Sequence, residues 1–136
     1  MQRPGKVHGV TLFEILIVLA IVAVLAGIAY PSYRDYADRA RRSEAVAKLL
    51  EIAASQERYY LNANRYGSLA ELGYPVPLVT SSGAYTVTIS RNDAEGYSIT
   101  AAYNNSGREF ERCASFTIDE MGRKNSTGSL DSCWAN

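Results

Sequence analysis

Gly9-Val10-Thr11-Leu12-Phe13-Glu14 joins a short basic leader to an apolar run, Ile15-Leu16-Ile17-Val18-Leu19-Ala20-Ile21-Val22-Ala23-Val24-Leu25-Ala26-Gly27-Ile28-Ala29-Tyr30, which stops at Pro31. From Val10 to Tyr30 only Thr11, Glu14 and Gly27 interrupt the apolar character. At 1.5 Å per residue the run makes roughly 31 Å of helix, enough for a hydrocarbon core of about 30 Å. A carboxylate near the start of such a segment is costly and needs a partner, so Glu14 reads as functional.

Three plainer readings of this N-terminus stand beside a functional one. Thr11-x-x-Glu14 has the spacing of a capping box, and Glu14 suits the positive end of a helix dipole. Ala26-Gly27-Ile28-Ala29 has the small residues of a secretory cleavage site, with cutting after Ala29. The run also suits an uncleaved anchor.

Gly9, a hydrophobic residue, Thr11-Leu12, Glu14 and the apolar helix together resemble the class III signal of type IV pilins. The resemblance implies that a prepilin peptidase cuts after Gly9 and methylates the new amine of Val10. It also implies that Glu14, with Thr11 beside it, serves subunit assembly, the carboxylate pairing with a neighbouring subunit's amine. Val10 stands where the family usually has Phe, and Val7-His8 where a basic residue often precedes the glycine. Arg3 and Lys6 still supply positive charge on the cytoplasmic side. The implied organisation is a leader at 1–9, a transmembrane and assembly helix at 10–30, and a periplasmic globular domain at 31–136.

The remaining hundred or so residues suffice for one domain with a modest core. The chain carries 14 basic and 14 acidic side chains, so nothing resembles the strongly basic balance of a dedicated nucleic-acid binder. Cys113 and Cys133 are the only cysteines, and in an oxidising periplasm they are expected to pair. Closing that loop contributes roughly 3 kcal/mol by the chain-entropy estimate. The single histidine, His8, lies in the leader, which disfavours a zinc site and a catalytic thiol. Asp119, Glu120 and Asp131 lack the spacing of a calcium loop. With no nucleophile elbow and no phosphate loop, the reading is a non-enzyme without cofactor or metal.

Pro31 removes one backbone donor and its ring crowds the carbonyl of Gly27, so Gly27 to Pro31 is expected to kink the helix. From Ser32 to about Asn62 the sequence reads as an amphipathic helix, with Ala45, Val46, Leu49, Ile52, Ala53 and Tyr60 on one face. Arg39, Arg41 and Arg42 fall mostly off that face and read as solvated, or as touching headgroups or a neighbouring subunit. Residues 63–83 carry turn punctuation, with a short helix expected at Ser68 to Leu72 and Ser68/Glu71 as its capping pair. Tyr85 to Ile89, Tyr97 to Ala101 and Arg112 to Ile118 read as strands. A long helix followed by three or four antiparallel strands is an α+β, pilin-like roll.

Gln56-Glu57-Arg58-Tyr59-Tyr60 and Asp131-Ser132-Cys133-Trp134 look most like PilE-type minor pilins. The resemblance implies a minor pilus subunit supporting pilus biogenesis, adhesion or twitching motility. Its partners would be other pilins, the prepilin peptidase and the inner-membrane assembly machinery. It would sit in the inner membrane with a periplasmic domain, then in the extracellular pilus. A type II secretion pseudopilin is the alternative. A DNA-uptake pilin would need Arg91, Arg108, Arg112, Arg123 and Lys124 gathered on one face. Interleaved Asp93, Glu95, Glu109, Glu111, Asp119 and Glu120 argue against nucleic acid as a partner.

Overall fold

Helix α1 (Leu12–Ala63) begins where Thr11 offers its hydroxyl oxygen to the backbone N–H of Glu14, at 3.2 Å. The computed structural model describes residues 9–92, 96–128 and 130–134. It divides into two units, Met1–Tyr36 and Ala37–Asn136. In the first, α1 is long and apolar enough to cross a membrane. Its side chains there are exposed, from Leu12 at 78% to Ile17 at 45%. The helix continues through Gly27 and Pro31. One proline costs one backbone bond, and the residues on either side still hold theirs.

In the second unit α1 buries Ala45, Leu49, Ile52 and Gln56, spaced four, three and four apart, so they form one stripe. Val46 and Ala53 pack beside that stripe, while Tyr60 lies at its exposed edge. Gln56 spans the start of the following loop. Its Nε2 donates to the carbonyl of Gly67 at 2.7 Å, and its Oε1 accepts from the N–H of Gly67 at 2.8 Å. A Cβ at Gly67 would meet Leu72 and Tyr59 at 3.2 Å, so the loop closes tightly there.

The expected helix at Ser68 to Leu72 is a single hydrogen-bonded turn, closed by Leu72 N–H on Ser68 O and ended at Gly73, whose φ is 83°. Its capping box forms in full. The Ser68 N–H donates to Glu71 Oε2 at 2.7 Å, and the Glu71 N–H donates to Ser68 Oγ at 3.3 Å.

Five antiparallel strands follow in simple meander order: β1 (Leu78–Val79), β2 (Tyr85–Asn92), β3 (Gly96–Tyr103), β4 (Ser115–Asp119) and β5 (Lys124–Ser126). Asn92 to Gly96 reads as the turn between β2 and β3, and its residues 93–95 lie outside the described residues. The pairs Val87/Ala101, Ile89/Ile99, Ile99/Ile118 and Ala101/Phe116 set one apolar face. With Leu49 and Ile52 of α1 that face makes the core. The alternate positions, Thr86, Thr88, Ser90, Ser98, Thr100 and Thr117, make a hydroxyl-rich outer face.

The strand expected at Arg112 to Ile118 is corrected at its start. Helix α2 (Arg108–Cys113) occupies that place, and β4 begins only at Ser115. Glu109 and Cys113 are both buried four residues apart, which is helical spacing. Strand β5 and helix α3 (Leu130–Trp134) complete the C-terminal part of the domain. Pairing with β4 satisfies the β5 backbone, and the Trp134 indole N–H donates to the Asn125 carbonyl at 2.8 Å. Before β5, Asp119 Oδ1 accepts from the N–H of Met121 and of Arg123, and Gly122 takes a φ of 71° that a β-carbon would disfavour.

Candidate functional site

Two places bring functional side chains together, one in each unit. In the N-terminal unit Gly9 and Val10 precede the helix and are exposed, as a processing site must be. Thr11 caps the helix through the backbone of Glu14. The Glu14 side chain is exposed among Phe13, Ile15, Leu16 and Ile17, all exposed themselves. In a bilayer or a bundle of such helices that carboxylate loses water and requires a cation. Gly27 has no atom within 4 Å of an added Cβ, which leaves room for a close neighbour along this stretch.

In the second unit the site is built around the disulfide. Cys113 ends α2, Cys133 lies in α3, and their Cα atoms are 5.7 Å apart, so the expected pair is formed. The bridge closes the segment that carries β4, β5 and α3. Arg42 of α1 reaches this segment. Its Nε lies 3.5 Å from Glu109 Oε1, and its Nη1 donates to Ser132 O at 3.4 Å and to Cys113 Sγ at 3.5 Å. Tyr85 donates its hydroxyl to the same Glu109 oxygen at 3.2 Å. Burial pushes the Glu109 carboxyl above the usual range, and the Arg42 charge holds it back. Burial also raises the Tyr85 hydroxyl, helped by the neighbouring carboxylate.

Arg42 is therefore not a solvated member of a basic run. Its side chain is 13% exposed and that of Glu109 is 2% exposed. The reason is register: Arg42 lies three residues before Ala45 and continues the buried stripe. Arg41 pairs with Asp38 at 3.2 Å, and Asp38 also holds Arg108 at 3.2 Å. Neither Arg42 nor Gln56 was marked by its residue type. Stripe spacing was the signal that could have found both.

Three of the basic residues considered for nucleic acid, Arg91, Arg108 and Arg123, are held by carboxylates. Arg91 donates to Tyr66 O and Glu71, beside Arg65. Arg65 first, then the Ser68 backbone, brings the Glu71 carboxyl down to about 2. Arg108 belongs to the Asp38 pair, and Arg123 binds Asp119 at 2.6 Å. Lys124 places its ammonium 5.2 Å from the centre of the Trp134 ring. Lys124 and Arg123 border a polar cavity of about 700 Å³, shared with Ser90, Ser98, Thr117 and Asn125. Asp93 and Glu95 lie outside the described residues. No metal-ligating cluster forms among the described residues.

The non-core minor pilin PilV of Neisseria meningitidis is similar in structure, with a TM-score of 0.53 and 24% identity, over 72% of this chain and 94% of its own. A type IV pilin from Shewanella oneidensis gives a TM-score of 0.52 and 22% identity, over 73% of this chain and 99% of its own. Both show the pilin fold. No significant match is found among curated proteins. The prokaryotic N-terminal methylation motif matches residues 5–30, which contain Gly9, Val10 and Glu14. A second family, described as type IV minor pilin ComP, DNA uptake sequence receptor, matches residues 31–117. By that match the chain belongs to the ComP family of type IV minor pilins.

Proposed function

We propose that the chain is processed after Gly9 and enters a type IV pilus through the first part of α1, displaying its disulfide-closed domain on the fibre. The observation that carries this reading is the N-terminal unit, a helix of exposed apolar side chains with one carboxylate near its start. Such a surface is stable only in lipid or against similar helices. Before assembly the chain is held in the inner membrane with its domain in the periplasm. Its partners are the prepilin peptidase, other pilins and the assembly machinery. Mass spectrometry of the subunit recovered from sheared pili is expected to find a chain beginning at Val10, with or without one methyl group. A chain beginning at Tyr30, or still at Met1, would reject this processing.

A second reading is favoured by one observation, the match of residues 31–117 to a DNA uptake sequence receptor family. In that reading the displayed domain captures double-stranded DNA. Lys124, placed over Trp134 beside the polar cavity, is the cation we assign to phosphate contact. The paired arginines limit the number of such contacts, so binding should be weak and its loss with salt shallow. Anisotropy titration of labelled duplex with the detergent-solubilised mature chain measures this. Lys124→Ala is expected to flatten the slope of log K against log salt by about 0.9, the release expected for one phosphate contact. Absence of binding at low salt would leave the pilus subunit without the receptor role.

A further inference from the structure

At the end of the apolar run and just past it, α1 carries three largely exposed tyrosines. Tyr30, Tyr33 and Tyr36 are exposed at 65, 71 and 68%. The Arg34 guanidinium lies 5.7 Å from the centre of the Tyr30 ring. In an α-helix each step of three residues turns the side chain by about 60°, so the three rings share one side over an arc of about 120°. Along the axis Tyr33 lies about 4.5 Å and Tyr36 about 9 Å beyond Tyr30. The headgroup layer on one side of a bilayer is roughly 5–7 Å deep. If Tyr30 ends the hydrocarbon span, Tyr33 falls inside that layer and Tyr36 just beyond it, on the water side.

Tyrosine suits that depth, because its ring tolerates apolar surroundings while its hydroxyl reaches polar ones. Arg34 brings a charge complementary to lipid phosphate, and its guanidinium can donate two bonds to one phosphate. A cation seated over Tyr30 is directed to the same depth as the rings. We propose that Tyr30, Tyr33 and Arg34 form a phospholipid-headgroup collar that fixes how deep α1 sits in the bilayer before assembly. Tyr36 marks its outer edge. The inference rests on the reading of residues 10–30 as the membrane span. It adds the partner of the next turns, which the span alone leaves open.

The mature full-length chain, in vesicles of phosphatidylglycerol and phosphatidylcholine, provides the test. Two variants, Tyr33→Trp and Leu19→Trp, are each read against the parent, whose Trp134 gives the background. The Tyr33→Trp indole is expected to be blue-shifted from its aqueous position. It should be quenched more by lipids brominated near the headgroup than by lipids brominated near the chain ends. The Leu19→Trp indole should show the opposite order. Adding Arg34→Gln to Tyr33→Trp is expected to shift the emission back toward the aqueous value in anionic vesicles. Unchanged emission would overturn the phosphate part. If Leu19→Trp is quenched deep and Tyr33→Trp stays aqueous, the collar alone is overturned. If neither is quenched, the span reading falls and takes the collar with it. If the Tyr33→Trp indole is shielded only in assembled pili, the rings contact other subunits, and the lipid assignment is overturned.

Discussion

Glu14→Gln is expected to leave the subunit folded and inserted in the membrane, and to lower its recovery in sheared pili by about tenfold or more. The helix start does not depend on the charge, because Thr11 accepts from the backbone N–H of residue 14. What depends on the charge is the environment met on assembly. Phe13, Ile15, Leu16 and Ile17 around Glu14 are exposed, and a fibre that covers them covers the carboxylate too. An ionised group in that setting costs several kcal/mol unless a cation is in contact with it. The new amine of Val10 on an adjacent subunit can be that cation, and it exists there only after the leader is removed. Glutamine keeps the shape and leaves that amine without a counter-charge. A loss of only 1.4 kcal/mol in incorporation is already tenfold. Immunoblots of sheared pili against membranes measure the ratio. Normal incorporation would leave the Thr11 cap as the whole account of this stretch.

The apolar run, the long helix and the two central strands were legible because each repeats a simple period over many residues. Tyr85 to Ile89 and Tyr97 to Ala101 alternate strictly, and both are strands, each extended slightly by pairing with its neighbours. Short elements were less legible. Six residues of α2 hold too few periods to oppose the strand-like reading of Arg112 and Cys113, and β5 has no apolar residue to mark it. The buried polar groups were missed for a different reason. Gln56, Arg42 and Glu109 are polar or charged, so composition assigns them to solvent, yet each has found a partner inside. Polar burial depends on which distant segment meets the side chain, here Gly67 for Gln56 and α2 for Arg42. A single sequence does not show that meeting. Interleaved charge has the same limit. Asp119 does pair with Arg123, but Arg91 pairs with Glu71 and Arg108 with Asp38, acids distant in sequence, and interleaving could not register a likeness spread over residues 31–117.

Arg42→Met should strongly destabilise the globular unit. Methionine keeps most of the apolar stem volume but withdraws the cation from a carboxylate whose side chain is 2% exposed. Glu109 would retain the Tyr85 hydroxyl on one oxygen, while its other oxygen already has no hydrogen-bond partner among the described residues. Breaking one side of a buried pair typically costs about 3–5 kcal/mol, a large part of the 5–15 kcal/mol that holds a domain together. The bonds from Arg42 to Ser132 and Cys113 are lost as well, which loosens the disulfide segment from α1. The pH dependence separates this cause from simple loss of packing. Burial raises the folded-state pKa of Glu109 above its ordinary value of 4.5, so ionisation opposes folding. Stability from this group is fully present below 4.5 and declines as pH rises through the folded value. Removing Arg42 raises that value further, so the deficit against the parent should be largest near neutral pH and shrink on acidification. Urea denaturation of parent and variant in detergent, at neutral and acidic pH, reads the difference. Adding Glu109→Gln to Arg42→Met should recover part of the loss at neutral pH, since no charge then remains to be buried. A deficit below about 1 kcal/mol, equal at both pH values, is the size of a solvated surface pair and would refute the buried-pair account.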